Sequence, residues 1–167
     1  QNFQRAGGIH VFGLHVGEES RIDEFLDDEP DVRVWLPLVD YGYTKAGCHQ
    51  ALAEAGIEQA AMYRMGYNNN NCIGCVKGGM GYWNKIRVDF PETFDWQAKM
   101  ERQLGRTIIR EEIGKDENGK RQSIPLYLDE LHPDRGNYQT EPSIKCGIIC
   151  EGLNKALATL QQHLGSK

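Results

Sequence analysis

The sequence lacks any run of about 18 apolar residues, the length that a membrane-spanning helix needs. It also lacks an excess of basic side chains, because 19 Lys and Arg stand against 24 Asp and Glu. A broad nucleic-acid-binding surface is therefore not indicated, although charge alone leaves nucleic acid open as a partner. No basic-then-apolar signal segment follows Gln1. These absences predict a cytoplasmic protein with no membrane partner.

The composition is that of an ordinary globular protein, with 40% hydrophobic and 26% charged residues among 167. This length predicts a single domain, 1–167, with a βαβ-like part over 1–66 and a cysteine-rich part with helices and a hairpin over 67–167. Five cysteines are too few for a disulfide-dense scaffold of this size. The oligomeric state is left open by the sequence.

The first 60 residues alternate between strand and helix patterns. Residues 9–16 are rich in β-branched and aromatic side chains and predict a buried strand, and residues 32–36 predict a second one. Between them, Ile22, Phe25 and Leu26 share one face of a predicted helix, whose acidic residues form a solvated face. A strand, a helix and a strand within about 30 residues predict a parallel βαβ unit and an α/β fold.

Further along the chain, capping and turn residues delimit the other predicted elements. They are a helix from Thr44 to about Ala55, a polar glycine-rich loop over 67–81, a helix over 92–104 with Phe94, Ala98 and Leu104 inward, a hairpin of 107–109 with 124–128, a surface loop over 132–142 and an amphipathic helix from Glu151. Within these segments, Cys48 is predicted to be a small core residue, and Tyr82, Trp83 and Trp96 to serve in packing.

Four of the cysteines form two close pairs, Cys72-Ile-Gly-Cys75 and Cys146-Gly-Ile-Ile-Cys150. Such spacing lets a turn aim two thiolates at one point, so the two pairs together predict a four-cysteine zinc site or an iron–sulfur cluster of the 4Fe–4S type. A disulfide, separate thiol roles and unligated structural cysteines remain alternatives. Cys146 also precedes the predicted terminal helix and follows Lys145, which favours a thiolate that could act as a nucleophile.

Four motifs follow one another along the chain. They are Phe12-Gly13-Leu14 leading to Glu19-Ser20-Arg21, Pro37-Leu38 followed by Tyr43-Thr44, Met62-Tyr63-Arg64-Met65-Gly66-Tyr67 running into Cys72-Ile73-Gly74-Cys75, and Lys145-Cys146-Gly147 ending in Cys150-Glu151-Gly152. In this order they resemble the phosphoadenosine phosphosulfate (PAPS) reductase family of the adenine-nucleotide α-hydrolase superfamily, and most of all its uncharacterised, often phage-borne members. The Ser-Gly-Gly-x-Asp-Ser nucleotide loop of the family does not occur in the sequence, so the resemblance covers the C-terminal part of such an enzyme.

The resemblance implies a partial Rossmann-like layer, followed by a helical, cysteine-rich C-terminal region. It implies an oxidoreductase or sulfurtransferase that processes a sulfonucleotide, with ATP or PAPS bound only if an N-terminal loop completes the site. In a true PAPS reductase, Cys146 would attack the sulfonyl sulfur and a thioredoxin-type donor would regenerate it. A non-catalytic, metal-stapled binding module is a further alternative.

Five residues are candidates to bind the substrate: Arg21, Arg64, Lys77, Gly78 and Gly79. If the resemblance holds, the two guanidinium groups would bind phosphate or sulfate oxygens as bidentate forks. Their alternative role is a surface salt bridge, with Glu18 or Glu58 as neighbours. Lys77 would stabilise thiolates or a bound anion, or lie in solvent, and the glycine loop would offer backbone N–H groups to a phosphate.

Overall fold

The computed structural model describes residues 8–144 of the chain. Over these residues the protein is a mixed α/β structure with six α-helices and two two-stranded sheets. The elements are β1 (Ile9–Val11), α1 (Glu19–Asp28), β2 (Arg33–Trp35), α2 (Pro37–Asp40), α3 (Lys45–Glu54), α4 (Ala61–Arg64), α5 (Met80–Asp89), α6 (Pro91–Leu104), β3 (Ile109–Lys115), β4 (Arg121–Leu126) and a short 3-10 helix (Leu128–Glu130). The terminal helix predicted from Glu151 lies outside the described residues.

The described chain divides into two compact units, residues 8–64 and residues 65–144. In the first unit β1 and β2 pair in parallel, with Ile9 opposite Arg33 and Val11 opposite Trp35, and α1 connects them. The predicted parallel βαβ unit is confirmed. The prediction that residues 9–16 form a buried strand is wrong, because β1 spans three residues and exposes 52% of Ile9 and 57% of Val11. A two-stranded sheet leaves these side chains uncovered.

The helix predicted after Thr44 is confirmed as α3. The Thr44 hydroxyl accepts a hydrogen bond from the Gly47 amide at 3.1 Å, as an N-cap does, and Gly56 follows the helix with a φ of +66°. Cys48 is half-buried in α3 and no residue of this helix is fully buried, so the prediction of Cys48 as a core residue is wrong.

The core of the second unit lies between α5 and α6, where Trp83 and Ile86 of α5 are completely buried. The sequence analysis did not predict α5, because its mixture of aromatic, β-branched and charged residues lacks a regular apolar period. The predicted packing roles of Tyr82 and Trp83 are confirmed, since they expose 2% and 0% of their surfaces. The Trp83 ring makes an edge contact with Phe94 of α6.

The helix predicted over 92–104 is confirmed as α6, with Phe94 and Ala98 buried. Gly105 ends it in the left-handed conformation, with a φ of +62°. Two packing predictions are wrong, because Trp96 is 57% exposed and Leu104 is 72% exposed. In both cases the side chain lies off the narrow stripe that Phe94, Ala98 and Glu101 bury.

The predicted hairpin is confirmed as the antiparallel pair β3 and β4, which is longer than predicted. Its turn is ordered by Asp116, whose side chain accepts hydrogen bonds from the Asn118 and Lys120 amides at 2.9 and 2.8 Å. The predicted surface loop over 132–142 contains no helix or strand. No helix in the described part of the chain has the length and apolar character of a membrane span.

Candidate metal centre

The Cys72–Cys75 pair lies on a tight turn in the second unit. Both cysteines are free, Cys72 being exposed and Cys75 half-buried. Gly74 takes a φ of +72°, and a Cβ atom there would lie 2.8 Å from Cγ2 of Thr93. Glycine is therefore required both by the backbone conformation and by the close approach of α6. The turn thus holds one exposed and one half-buried free cysteine on a backbone of fixed shape.

The side chain of Tyr82 bridges this turn. Its hydroxyl accepts a hydrogen bond from the Cys75 amide and donates one to the Cys72 carbonyl, each at 3.0 Å. Burial raises the pKa of Tyr82, with hydrogen bonds from backbone amides opposing the rise. The hydroxyl therefore keeps its proton near neutral pH and remains the donor to Cys72. The sequence analysis assigned Tyr82 to packing alone, since no spacing rule connects it to the cysteines.

The glycine segment that follows the turn packs closely against Tyr82. A Cβ atom at Gly78 would lie 2.7 Å or less from three carbons of the Tyr82 ring. A Cβ atom at Gly79 would lie 2.8 Å from the Glu141 carboxylate. Close packing therefore explains the presence of glycine at both positions. Their predicted role in binding an anion stays a prediction.

Glu141 occupies the N-terminus of α5. Its Oε1 atom accepts from the Gly81 amide at 2.6 Å and its Oε2 atom accepts from the Tyr82 amide at 3.0 Å. A carboxylate is favourable there because the first amides of a helix are unpaired and carry partial positive charge. The chain itself thus supplies an anion at the end of the glycine loop. The sequence carried no signal for Glu141, which lies 60 residues from Gly81.

We use the name strap for residues 136–144, which return to the cysteine-bearing loop. The Tyr138 hydroxyl accepts a hydrogen bond from the Asn68 amide at 2.7 Å. The side-chain amides of Asn69 and Asn71 both donate to the Ile144 carbonyl, at 3.2 and 3.5 Å. Since Asn71 directly precedes Cys72, these contacts hold the strap beside the first cysteine pair.

A charged and aromatic cluster lies beside the strap. The Lys85 ammonium lies 4.4 Å from the centre of the Tyr67 ring and forms an ion pair of 2.8 Å with Asp89. Burial and the neighbouring Asp89 carboxylate raise the pKa of Tyr67. Burial also acts to raise the pKa of Asp89, but the neighbouring Lys85 ammonium and Tyr67 hydroxyl outweigh it and lower that pKa. The cluster is therefore a neutral tyrosine beside a charged pair.

The cavity between this cluster and the strap has a volume of about 20 Å³. It has room for a single water molecule and is too small for a nucleotide. Its lining includes Tyr67, Asn71, Tyr138 and Glu141. These residues serve the packing of the strap.

The other predicted ligands, Cys146 and Cys150, lie outside the described residues. Among residues 8–144, no group of three or more His, Cys, Asp or Glu side chains is arranged to hold a metal ion. Cys72 and Cys75 can supply two of the four thiolates of a tetrahedral site. Lys77 is exposed in the turn after Cys75, and its predicted role stays a prediction.

The two predicted anion-binding arginines lie in the first unit, where each forms an ion pair. Arg21 pairs with Glu18, and Arg64 pairs with Glu58 at 2.6 Å. Glu18 and Glu58 are the neighbours expected if the two arginines form surface salt bridges rather than bind an anion. Partial burial acts to raise the pKa of Glu18, but hydrogen bonds from the His15 amide and from Arg21 outweigh it and lower that pKa. Arg21 is three-quarters buried, whereas about half of Arg64 is exposed.

Comparisons of the chain with protein-family models, with curated proteins and with solved structures found no match. The resemblance to PAPS reductases therefore remains a prediction, based on the four motifs alone.

Proposed function

We propose that the chain carries a metal–thiolate centre, either zinc or an iron–sulfur cluster, held by Cys72, Cys75, Cys146 and Cys150. The observation that carries this proposal is the Cys72–Cys75 turn, whose two cysteines are free, Cys72 being exposed and Cys75 half-buried. A pair of cysteines two residues apart on a glycine-containing turn suits a tetrahedral thiolate site. A bound zinc ion would supply a structural crosslink between the two pairs, and an iron–sulfur cluster would add redox chemistry.

Chain connectivity supports a role for the second pair. The Ile144 carbonyl accepts hydrogen bonds from Asn69 and Asn71, and Cys146 follows Ile144 by two residues. Two residues span at most about 7 Å of extended chain, so the position of Ile144 is compatible with the shared site that we propose. The strap thus reduces the loop-closure entropy that a shared site would otherwise cost.

Metal analysis of the purified full chain tests this proposal. We expect about one zinc ion or one cluster per chain, measured by elemental analysis, with a cluster also giving a brown colour. Cys72→Ser and Cys75→Ser should each lose most of the metal, because a tetrahedral site does not retain full affinity with three thiolates. Cys48→Ser is the matched control, since Cys48 lies in α3 of the other unit, and should keep the metal. Metal content unaffected by the Cys72 and Cys75 changes, or absent from the wild type, would contradict the proposal.

We further propose that this centre serves a PAPS-reductase-like protein in sulfur transfer or sulfonucleotide processing. What supports this is the motif order, together with the parallel βαβ unit of the first compact unit. Ligands of open parallel sheets bind beyond the carboxyl ends of the strands. Arg21 lies on α1, which follows β1 in the chain. Its pairing with Glu18 would be exchanged for pairing with a phosphate or sulfate group.

Titration of the full chain with PAPS by calorimetry tests this second part. Arg21→Ala should weaken binding about tenfold, since a charge-assisted hydrogen bond contributes roughly 1.5 kcal/mol or more. Arg33→Ala removes an exposed guanidinium on β2 and is the control, with no change expected. Identical titrations of the wild type and the Arg21 variant would contradict a sulfonucleotide-binding role for Arg21. No binding to either protein would contradict sulfonucleotide binding by this chain without the N-terminal loop that the resemblance implies.

A further inference from the structure

Tyr82 connects the two cysteines of the turn through its hydroxyl, although it lies seven residues after Cys75. In a simple β-turn the first carbonyl accepts directly from the fourth amide. Here the hydroxyl lies between them, accepting from the Cys75 amide and donating to the Cys72 carbonyl at 3.0 Å each. The hydroxyl therefore determines how far apart the two ends of the turn are held.

Both ends of Tyr82 are themselves fixed. Its backbone amide donates to Glu141 in the first turn of α5, and the residue is only 2% exposed. Gly78 leaves room for the Tyr82 ring, because a Cβ atom at position 78 would overlap that ring. A bridging hydroxyl on a buried side chain of a rigid helix imposes a fixed geometry on the turn. A hydroxyl on a mobile side chain would instead move with the turn.

A second contact constrains the turn at Gly74. This residue, between the cysteines, lies against Thr93 and Trp83, so that a Cβ atom would lie 2.8 Å from Thr93 and 3.5 Å from the Trp83 ring. The turn is thus held by the Tyr82 hydroxyl and by its packing against α5 and α6. Cys72 nonetheless remains exposed, and Cys75 is half-buried. A turn held by two contacts, with its cysteines not fully buried, is preorganised for a ligand.

We propose that Tyr82 is a positioning residue, which sets the separation and orientation of the Cys72 and Cys75 thiols for a thiophilic divalent metal. This inference rests on the proposed metal centre and adds to it the residue that determines affinity. Groups that orient metal ligands typically affect metal affinity by about 10- to 100-fold when they are removed. Tyr82 would act through hydrogen bonds to the backbone of the ligands rather than by contact with the metal.

The experiment compares Tyr82→Phe with the wild-type full chain, using Zn²⁺ as the probe in competition with a chromophoric chelator. The phenyl ring keeps its place and only the hydroxyl bridge is lost. We expect Zn²⁺ affinity to fall about 10-fold or more, while far-UV circular dichroism stays unchanged. Co²⁺ substitution gives a second readout, because the thiolate-to-cobalt absorption bands should shift in Tyr82→Phe even at saturating Co²⁺.

Tyr138→Phe is the matched control. It also removes a hydroxyl that accepts a backbone amide, that of Asn68, but this hydroxyl does not bond to the cysteine turn. Because this bond helps to hold the strap, Tyr138→Phe should lower Zn²⁺ affinity, but by less than Tyr82→Phe does, and its Co²⁺ spectrum at saturation should match that of the wild type. Gly74→Ala perturbs the turn independently of Tyr82 and should weaken Zn²⁺ binding as well.

The results of these experiments distinguish a failure of the positioning role from a failure of the proposed metal centre. Wild-type chain that binds no Zn²⁺ would contradict this inference and the zinc form of the proposed metal centre. Wild-type and Tyr82→Phe chains with equal affinity and equal Co²⁺ spectra would leave the metal centre in place and overturn the positioning role. Equal losses in Tyr82→Phe and Tyr138→Phe would also overturn it, because the effect would then be a general loosening of the unit.

Discussion

Replacing Glu101 with alanine is expected to lower the free energy of unfolding by about 3 kcal/mol. Glu101 is 3% exposed, and its two side-chain oxygens accept hydrogen bonds from the backbone amides of Ile108 and Leu128. It thereby connects α6 to the segment before β3 and to the 3-10 helix. Alanine leaves both amides without an acceptor. An unpaired amide costs roughly 1–3 kcal/mol when it is buried, as that of Leu128 is, and less when it is part-buried, as that of Ile108 is. Urea unfolding followed by circular dichroism measures the loss.

Two further variants show whether the loss comes from these hydrogen bonds. Glu101→Gln keeps one carbonyl oxygen, so it should preserve one of the two bonds and give an intermediate loss. Gln103→Ala, at an exposed position of the same helix, should stay within about 0.5 kcal/mol of the wild type. Hydrogen exchange at the Ile108 and Leu128 amides should accelerate only in the Glu101 variants. Equal stability of the Glu101→Ala and Gln103→Ala proteins would show that the two bonds contribute nothing.

Among the helices of the described residues, Gly81→Ala is expected to be the most disruptive glycine substitution, with a loss of about 3 kcal/mol or more in the free energy of unfolding. A Cβ atom at Gly81 would lie 2.6 Å from the Asn137 carbonyl carbon and nearer still to the Tyr138 amide. These are backbone atoms, so the strap and α5 would have to separate. That movement would also break the hydrogen bonds from the Gly81 and Tyr82 amides to Glu141.

Gly47→Ala is the control for this change. Gly47 lies in α3, where a Cβ atom would meet only the Thr44 and Tyr43 side chains at 3.5 and 3.6 Å. Such distances are ordinary contacts, and alanine is the better helix former by up to about 1 kcal/mol. We therefore expect this variant to be as stable as the wild type or slightly more so, by thermal unfolding of each full-length protein. Similar losses in both variants would show that the contact between α5 and the strap is not tight.

Local sequence signals predicted the elements that are governed by local chemistry. Thr44 and Gly56 delimit α3 because capping depends on a few neighbouring residues. Gly105 ends α6 for the same reason. The parallel pairing of β1 and β2 followed from the length of the crossover alone. By contrast, α5 was missed because its buried face, with Tyr82, Trp83 and Ile86, is defined by contacts with α6 and the strap.

The residues of the candidate metal centre likewise include some that local sequence signals predicted and others that only packing brought together. The Cys-x-x-Cys spacing marked Cys72 and Cys75 as a pair, since the four residues of a turn are local. No sequence pattern pointed to Tyr82 as the bridge of that turn, because its register on α5 is set by packing. No sequence pattern indicated Glu141 either, because it reaches the start of α5 from 60 residues away.

The sequence by itself determined that the described chain is a mixed α/β structure with a cysteine turn shaped by a glycine. The sequence has few prolines, ordinary charge and no long apolar run, and none of these features determines the fold class. Short periodic patterns and helix caps, which act over a few residues, indicate it instead. Only the tertiary structure decided what holds that turn. The Tyr82 bridge, the Glu141 cap and the asparagine contacts to Ile144 join residues that are 7, 59 and 73–75 positions apart. Such contacts form when elements pack against one another, and local preference does not encode them.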